Sequence, residues 1–116
     1  MLVVDDDPDI RDTLRLVLEF AGYPVYSADN GREALEVLAN AATPPGLILL
    51  DLMMPVMSGD EMLKALKQVH ALASIPVTIV TASGAPMPPQ ASGILKKPVD
   101  MEALLRVVAR HCGPGR

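Results

Sequence analysis

Leu47-Ile48-Leu49-Leu50 is a run of four aliphatic side chains with no polar residue among them, and it ends abruptly at Asp51. A strand with one wet face alternates polar and apolar residues, so an unbroken run predicts a strand covered on both faces, as in the centre of a parallel sheet. Thr43-Pro44-Pro45-Gly46 breaks whatever helix precedes it. Parallel neighbours need right-handed crossovers, and the rest of the chain supplies segments of the required kind. Leu2-Val3-Val4, Val25-Tyr26-Ser27, Pro76 to Val80 and Ile94-Leu95 read as further strands. Between them, apolar residues recur at helical spacing: Ile10, Leu14, Val17, Leu18 and Ala21; Ala34, Leu35, Leu38 and Ala42; Met62, Leu63, Leu66 and Val69; Met101, Leu104, Leu105, Val108 and Cys112. Helix starts are marked by Asp7-Pro8, by Asn30 with Glu33, by Ser58 with Glu61 and by Asp100, and stops by Gly22 and Gly113. The expected fold is an α/β, doubly wound, five-stranded parallel sheet in one domain over residues 1–116.

One segment breaks the alternation. Between Thr81 and Ile94, Pro86, Pro88 and Pro89 make a regular helix very costly, so the fourth helix of the pattern is expected to be shortened or replaced by a Pro-rich loop. A missing helix should leave part of the sheet's apolar face poorly covered, which invites a partner or a homodimer through this region.

Charge and cysteine content narrow the function classes. The formal charge of -4 and the lack of a basic helix argue against direct nucleic-acid binding. Cys112 is the single cysteine, which excludes an intrachain disulfide and a multi-cysteine zinc site and suggests a reducing compartment. Met1-Leu2-Val3-Val4 lacks a basic n-region and no apolar run reaches membrane-spanning length, so a cytoplasmic location without membrane insertion is expected.

Asp5, Asp6 and Asp7 follow the first strand, and Asp51 follows the third. In an open parallel sheet, ligands bind outside the carboxyl ends of the strands at the switch in winding, so Asp5, Asp6 and Asp51 are expected to share one pocket. Crowded carboxylates raise one another's pKa unless a cation neutralises them, and an all-oxygen pocket without His or Cys suits Mg²⁺. Thr81 ends the fourth strand and Lys97 follows the fifth, adding a hydroxyl and an ammonium at the same edge. A carboxylate nucleophile, a hard cation, a hydroxyl and a lysine make up a kit for phosphoryl transfer to aspartate.

Val3-Val4-Asp5-Asp6-Asp7-Pro8, Leu50-Asp51-Leu52-Met53-Met54-Pro55 with Gly59, Thr81-Ala82 and Lys96-Lys97-Pro98 together give the chain a resemblance, over essentially its whole length, to the CheY-like receiver domains of two-component response regulators. The resemblance implies a sheet in the order 2-1-3-4-5. It implies that Asp51 accepts a phosphoryl group from a phosphohistidine on a sensor histidine kinase or phosphotransfer protein, and that a downstream effector protein or domain reads the result. Asp6, Asp51 and the backbone carbonyl of Met53 would bind Mg²⁺, with Asp5 acting through water; Thr81 and Lys97 would contact the phosphoryl oxygens. The bond Lys97-Pro98 is often cis in the family. Two features depart from its pattern: Ile94 stands where an aromatic switch residue is common, and the Pro-rich segment stands where the fourth helix completes the output face.

Taken singly, Asp7 is better read as a helix cap, Lys96 as facing away from Lys97, His70 and His111 as helical residues remote from the strand ends, Cys112 as packing and the methionines as core filler. Two other functions compete with the phosphoacceptor switch: a phosphorylation-independent pseudo-receiver that only binds protein, and a small Mg²⁺-dependent aspartyl phosphohydrolase. The short loops after Asp51 and Thr81 oppose the hydrolase, since they leave little chain for a closed substrate pocket.

Overall fold

The computed structural model describes residues 1–82, 84 and 86–115. Its elements run β1 (Leu2–Val4), α1 (Pro8–Phe20), β2 (Tyr26–Ala28), α2 (Gly31–Asn40), β3 (Ile48–Leu50), α3 (Gly59–Gln68), β4 (Val77–Thr81), β5 (Gly93–Lys96) and α4 (Met101–Cys112). All pairs are parallel and the order is β2-β1-β3-β4-β5, as expected. The run beginning at Leu47 lies at the centre of this sheet, and Leu47, Ile48, Leu49 and Leu50 are all essentially inaccessible to solvent.

Alternation along the strands divides the core into two layers. Leu2, Val4, Ile48, Leu50, Val77 and Ile79 pack with Ala34 and Leu38 of α2 and with Met62, Leu63 and Leu66 of α3. Val3, Leu49 and Val80 pack with Leu14 and Leu18 of α1 and with Leu104 and Val108 of α4. Each such aliphatic side chain contributes about 1.5–3 kcal/mol by leaving water, so the sheet and its flanking helices hold one another in place.

The helix ends follow local chemistry. Asp7 caps α1 by accepting the Asp9 N–H, with Pro8 in the first turn. Asn30 accepts the Glu33 N–H, Asp100 accepts the Glu102 N–H, and Ser58 and Glu61 form a reciprocal capping box. Gly22 and Gly113 adopt positive φ after α1 and α4. Some boundaries differ from the sequence reading. The second, third and fourth strands begin one residue later than expected, and α2 stops at Asn40, leaving Ala42 outside it. The third helix ends at Gln68, because Val69 turns extended (φ -96°, ψ 111°); His70 therefore lies in the turn that follows and not on a helix.

No helix is found between β4 and β5 among the described residues; Ser83 and Ala85 of the Pro-rich segment lie outside them. The face left by that helix is more fully covered than expected. Pro88 and Ala91 are buried, Ala91 packs in the same layer as Ile79, and a turn closes with the Ala91 N–H on the Pro88 carbonyl (3.0 Å). The Ser92 N–H donates to the Val77 carbonyl (2.7 Å), which hands the chain into β5. Val77 and Ile79 are consequently sealed, while β5 at this edge of the sheet, including Ile94, is half-exposed.

Candidate functional site

Strands β1 and β3 are adjacent and in register from Leu2 opposite Ile48 to Val4 opposite Leu50, so the next residue of each strand leaves the sheet at the same edge. Those residues are Asp5 and Asp51. The Asp5 N–H donates to the Ala28 carbonyl (3.1 Å) and the Asp51 N–H to the Val4 carbonyl (3.0 Å), which extends the ladder by one step and fixes both Cα atoms. Both carboxylates are buried, whereas Asp6 is exposed. One carboxylate oxygen from each of Asp5, Asp6 and Asp51 lies within 4.8 Å of the other two, as the strand-end argument requires.

Lys97 reaches this group from β5. Its Nζ donates to Asp5 Oδ2 at 2.8 Å and to Asp51 Oδ2 at 3.4 Å. The Lys97 N–H also donates to the Thr81 carbonyl (3.0 Å), so the ammonium and the threonine are carried by adjoining strand ends. Thr81 is the last residue of β4 and is fully buried. The Lys97-Pro98 bond is cis, and Lys96 is exposed. The remaining acceptor atoms are also held: Asp5 Oδ1 takes the Asp7 N–H (2.9 Å) and Asp51 Oδ1 takes the Met53 N–H (3.3 Å). Met53 is 71% exposed and Met87 43%, so the core-filler reading holds for Met62 and not for these two.

The electrostatics reflect that crowding. Burial raises the Asp51 pKa above the ordinary carboxylate value, the Asp5 charge raises it further, and Lys97 together with the Met53 N–H opposes the shift. For Lys97, burial favours the neutral amine, but the hydrogen bond and charge of Asp5, together with those of Asp51, outweigh it and raise the pKa. With Lys97 charged, three ionised carboxylates leave a net charge of about -2 at the site, which a divalent cation would balance. The donor set fits Mg²⁺, because every side-chain ligand is a hard oxygen.

An arginine not singled out by the sequence also touches the site. Arg11 Nη1 donates to the Asp5 backbone carbonyl at 2.9 Å. The available signal was its place four residues after the Asp7 cap, which brings it back over the strand end. Beside Lys97 lies an apolar cavity of about 630 Å³, lined among others by Ile10, Leu14, Pro98, Val99 and Met101.

A twisted parallel sheet with buried acids and a lysine gathered at its carboxyl edge defines the class of doubly wound α/β proteins with the strand order of flavodoxin-like folds. Residues 1–109 match the model of the response regulator receiver domain, and the chain belongs to that family. It is 39% identical to an uncharacterised 14.6 kDa protein of Leptolyngbya boryana, over 97% of this chain and 88% of that one. It is 35% identical to the phosphate regulon transcriptional regulatory protein PhoB of Pseudomonas aeruginosa, over 99% of this chain and 53% of PhoB. With the sensor histidine kinase TmoS of Ectopseudomonas mendocina it shares 42% identity, over 71% of this chain and 8% of TmoS. The chain thus spans about half of PhoB and a small part of TmoS. Among solved structures, the chemotaxis protein CheY4 of Vibrio cholerae superposes with a TM-score of 0.84 at 35% identity, covering 95% of each chain. The chain is therefore a receiver domain of two-component signalling, in a family that ordinarily binds Mg²⁺, and no helix among the described residues is long and apolar enough to cross a membrane.

Proposed function

We propose that the chain is a single phosphoacceptor domain in which Asp51 receives a phosphoryl group from a phosphohistidine of a sensor kinase or phosphotransfer protein. An Asp51 oxygen forms the new O–P bond as the N–P bond to the donor imidazole breaks, giving an acyl phosphate and a free imidazole. Asp5, Asp6, Asp51 and the Met53 carbonyl would hold Mg²⁺, which when bound supplies charge neutralisation for the acceptor and the transferred group. Lys97, already aimed at Asp51, re-pairs with the added phosphoryl oxygens, and the Thr81 hydroxyl accompanies it at the neighbouring strand end. The observation that carries this reading is the Lys97 ammonium standing 2.8 and 3.4 Å from the buried carboxylates of Asp5 and Asp51, which come from separate strands.

The consequence is a shift of the loops around the site that controls a partner protein or attached domain in the cytoplasm. The common aromatic switch is replaced by half-buried Ile94, so the change is expected to emerge through α1 or the loop after Asp51. Self-association through the altered β4–β5 connection has support only in the exposure of Met87 and the half-exposed β5 edge. Incubation with Mg²⁺ and a small phosphodonor should place one acid-stable, base-labile phosphoryl group on the wild type and none on folded Asp51→Asn. Sustained turnover of phosphoesters would instead indicate a hydrolase, and absence of both label and metal affinity a pseudo-receiver.

A further inference from the structure

We infer that Arg11 is a positioning residue for the cation site, clamping the peptide between Asp5 and Asp6 so that the Asp6 carboxylate is presented beside Asp5 and Asp51. The inference rests on the proposed metal-dependent reading of that site. Asp5 is fixed on nearly every side: its N–H is in the ladder with Ala28, and its carboxylate oxygens are taken by Asp7 and Lys97. Its carbonyl points out of the ladder, where Arg11 Nη1 meets it at 2.9 Å. That carbonyl belongs to the peptide plane from which the Asp6 Cα departs, and a peptide is planar, so holding the oxygen fixes the direction in which Asp6 leaves the strand.

Asp6 needs such a constraint. It is exposed, so packing does not set its direction, in contrast to buried Asp5 and Asp51. Arg11 is itself anchored at the close of the first turn of α1, where its N–H donates to the Asp7 carbonyl (3.0 Å).

Positioning and simple electrostatics predict opposite signs. Removing a cation near three carboxylates should tighten binding of a dication if charge alone matters. Loss of an outer-shell constraint should weaken it about 10–100-fold. Calorimetric titration of metal-free protein with Mg²⁺ should therefore give a higher Kd for Arg11→Met by roughly tenfold or more, with partial recovery in Arg11→Lys. Arg15→Met, which removes an equal charge from the exposed Arg15–Glu19 pair one turn along, should stay near the wild-type value. Equal or tighter binding by Arg11→Met would overturn the inference. A second readout needs no metal: the carbonyl ¹³C shift of Asp5 and amide exchange of Asp6 should change in Arg11→Met, and their constancy would also overturn it. Absence of Mg²⁺ binding by the wild type, with those backbone signals still responding to Arg11→Met, would defeat the metal-dependent reading and its Arg11 role in affinity, while the clamp itself stood.

Discussion

Asp51 costs the metal-free fold stability at neutral pH. Its folded pKa lies above the ordinary value of 3.8, so the native state keeps its proton at pH values where the unfolded chain has released it. Native protein then binds more protons than unfolded, and stability falls as pH rises from that value through the folded pKa. Asp51→Asn removes the effect and leaves Lys97 its shorter bond to Asp5. In EDTA at pH 7 the variant should be more stable and melt at a higher temperature, with the gap closing below pH 4. Saturating Mg²⁺ should narrow it from the other side by stabilising the wild type. Calorimetry at several pH values checks the sign. A second residue-scale prediction concerns Val56. It has φ 68°, a left-handed conformation poorly suited to a β-branched side chain, and the Met57 N–H donates to the Pro55 carbonyl (2.7 Å) across it, forming a γ-turn. The side chain is 71% exposed and loses little packing on replacement, so Val56→Asn should raise stability by about 1 kcal/mol in chemical denaturation.

At the scale of elements, α3 is joined to the site by the close approach of Gly59 to the chain just beyond Asp51. Gly59 is the first residue of the helix, its N–H donates to the Leu52 carbonyl (3.0 Å), and a Cβ there would strike the Asp51 carbonyl and the Leu52 Cα. Gly59→Ala should therefore destabilise the protein by about 2 kcal/mol although alanine is the better helix former, and should lower the rate of Asp51 labelling. Ser58→Ala, which only opens the capping box, should cost about 1 kcal/mol and leave labelling intact. Urea unfolding beside a phosphodonor assay separates the two. These cases also show what a linear chain discloses. Caps and strand-end acids were legible because each signal is local: an aspartate before a proline, an unbroken aliphatic run ending in charge. The end of α3 was not, since Val69 fits the helical period and only its placement in the folded chain turns it extended. Coverage of β4 by Pro88 and Ala91 was also hidden, because prolines announce the loss of a helix without saying where the loop will lie. The Arg11 bond joins a side chain to a backbone carbonyl, so its only trace in the sequence is the spacing from the Asp7 cap, which names no acceptor.

At the scale of the molecule, the site and the apolar cavity beside it share Lys97. The cavity lies between α1 and the segment running from β5 into α4, with Ile10 and Leu14 on one side and Pro98, Val99 and Met101 on the other. A small phosphodonor needs only the carboxylate, the cation and the lysine. A protein donor must also bring a bulky histidine-bearing surface against Asp51, and this hollow offers an apolar seat at the right edge of the sheet. Ile10 and Met101 are only partly buried, so polar substitutions there leave the fully buried layer of Leu14, Leu18, Leu104 and Val108 in place. Ile10→Ser and Met101→Ser should accordingly slow labelling from a phosphorylated donor protein about tenfold, the equivalent of one hot-spot contact of about 1.4 kcal/mol. The rate from acetyl phosphate should stay within about twofold of wild type, because a change of less than about 0.4 kcal/mol leaves the chemistry at Asp51 essentially untouched. Equal losses with both donors would locate the effect in the acceptor site itself, and no loss with the protein donor would mean that docking uses another surface.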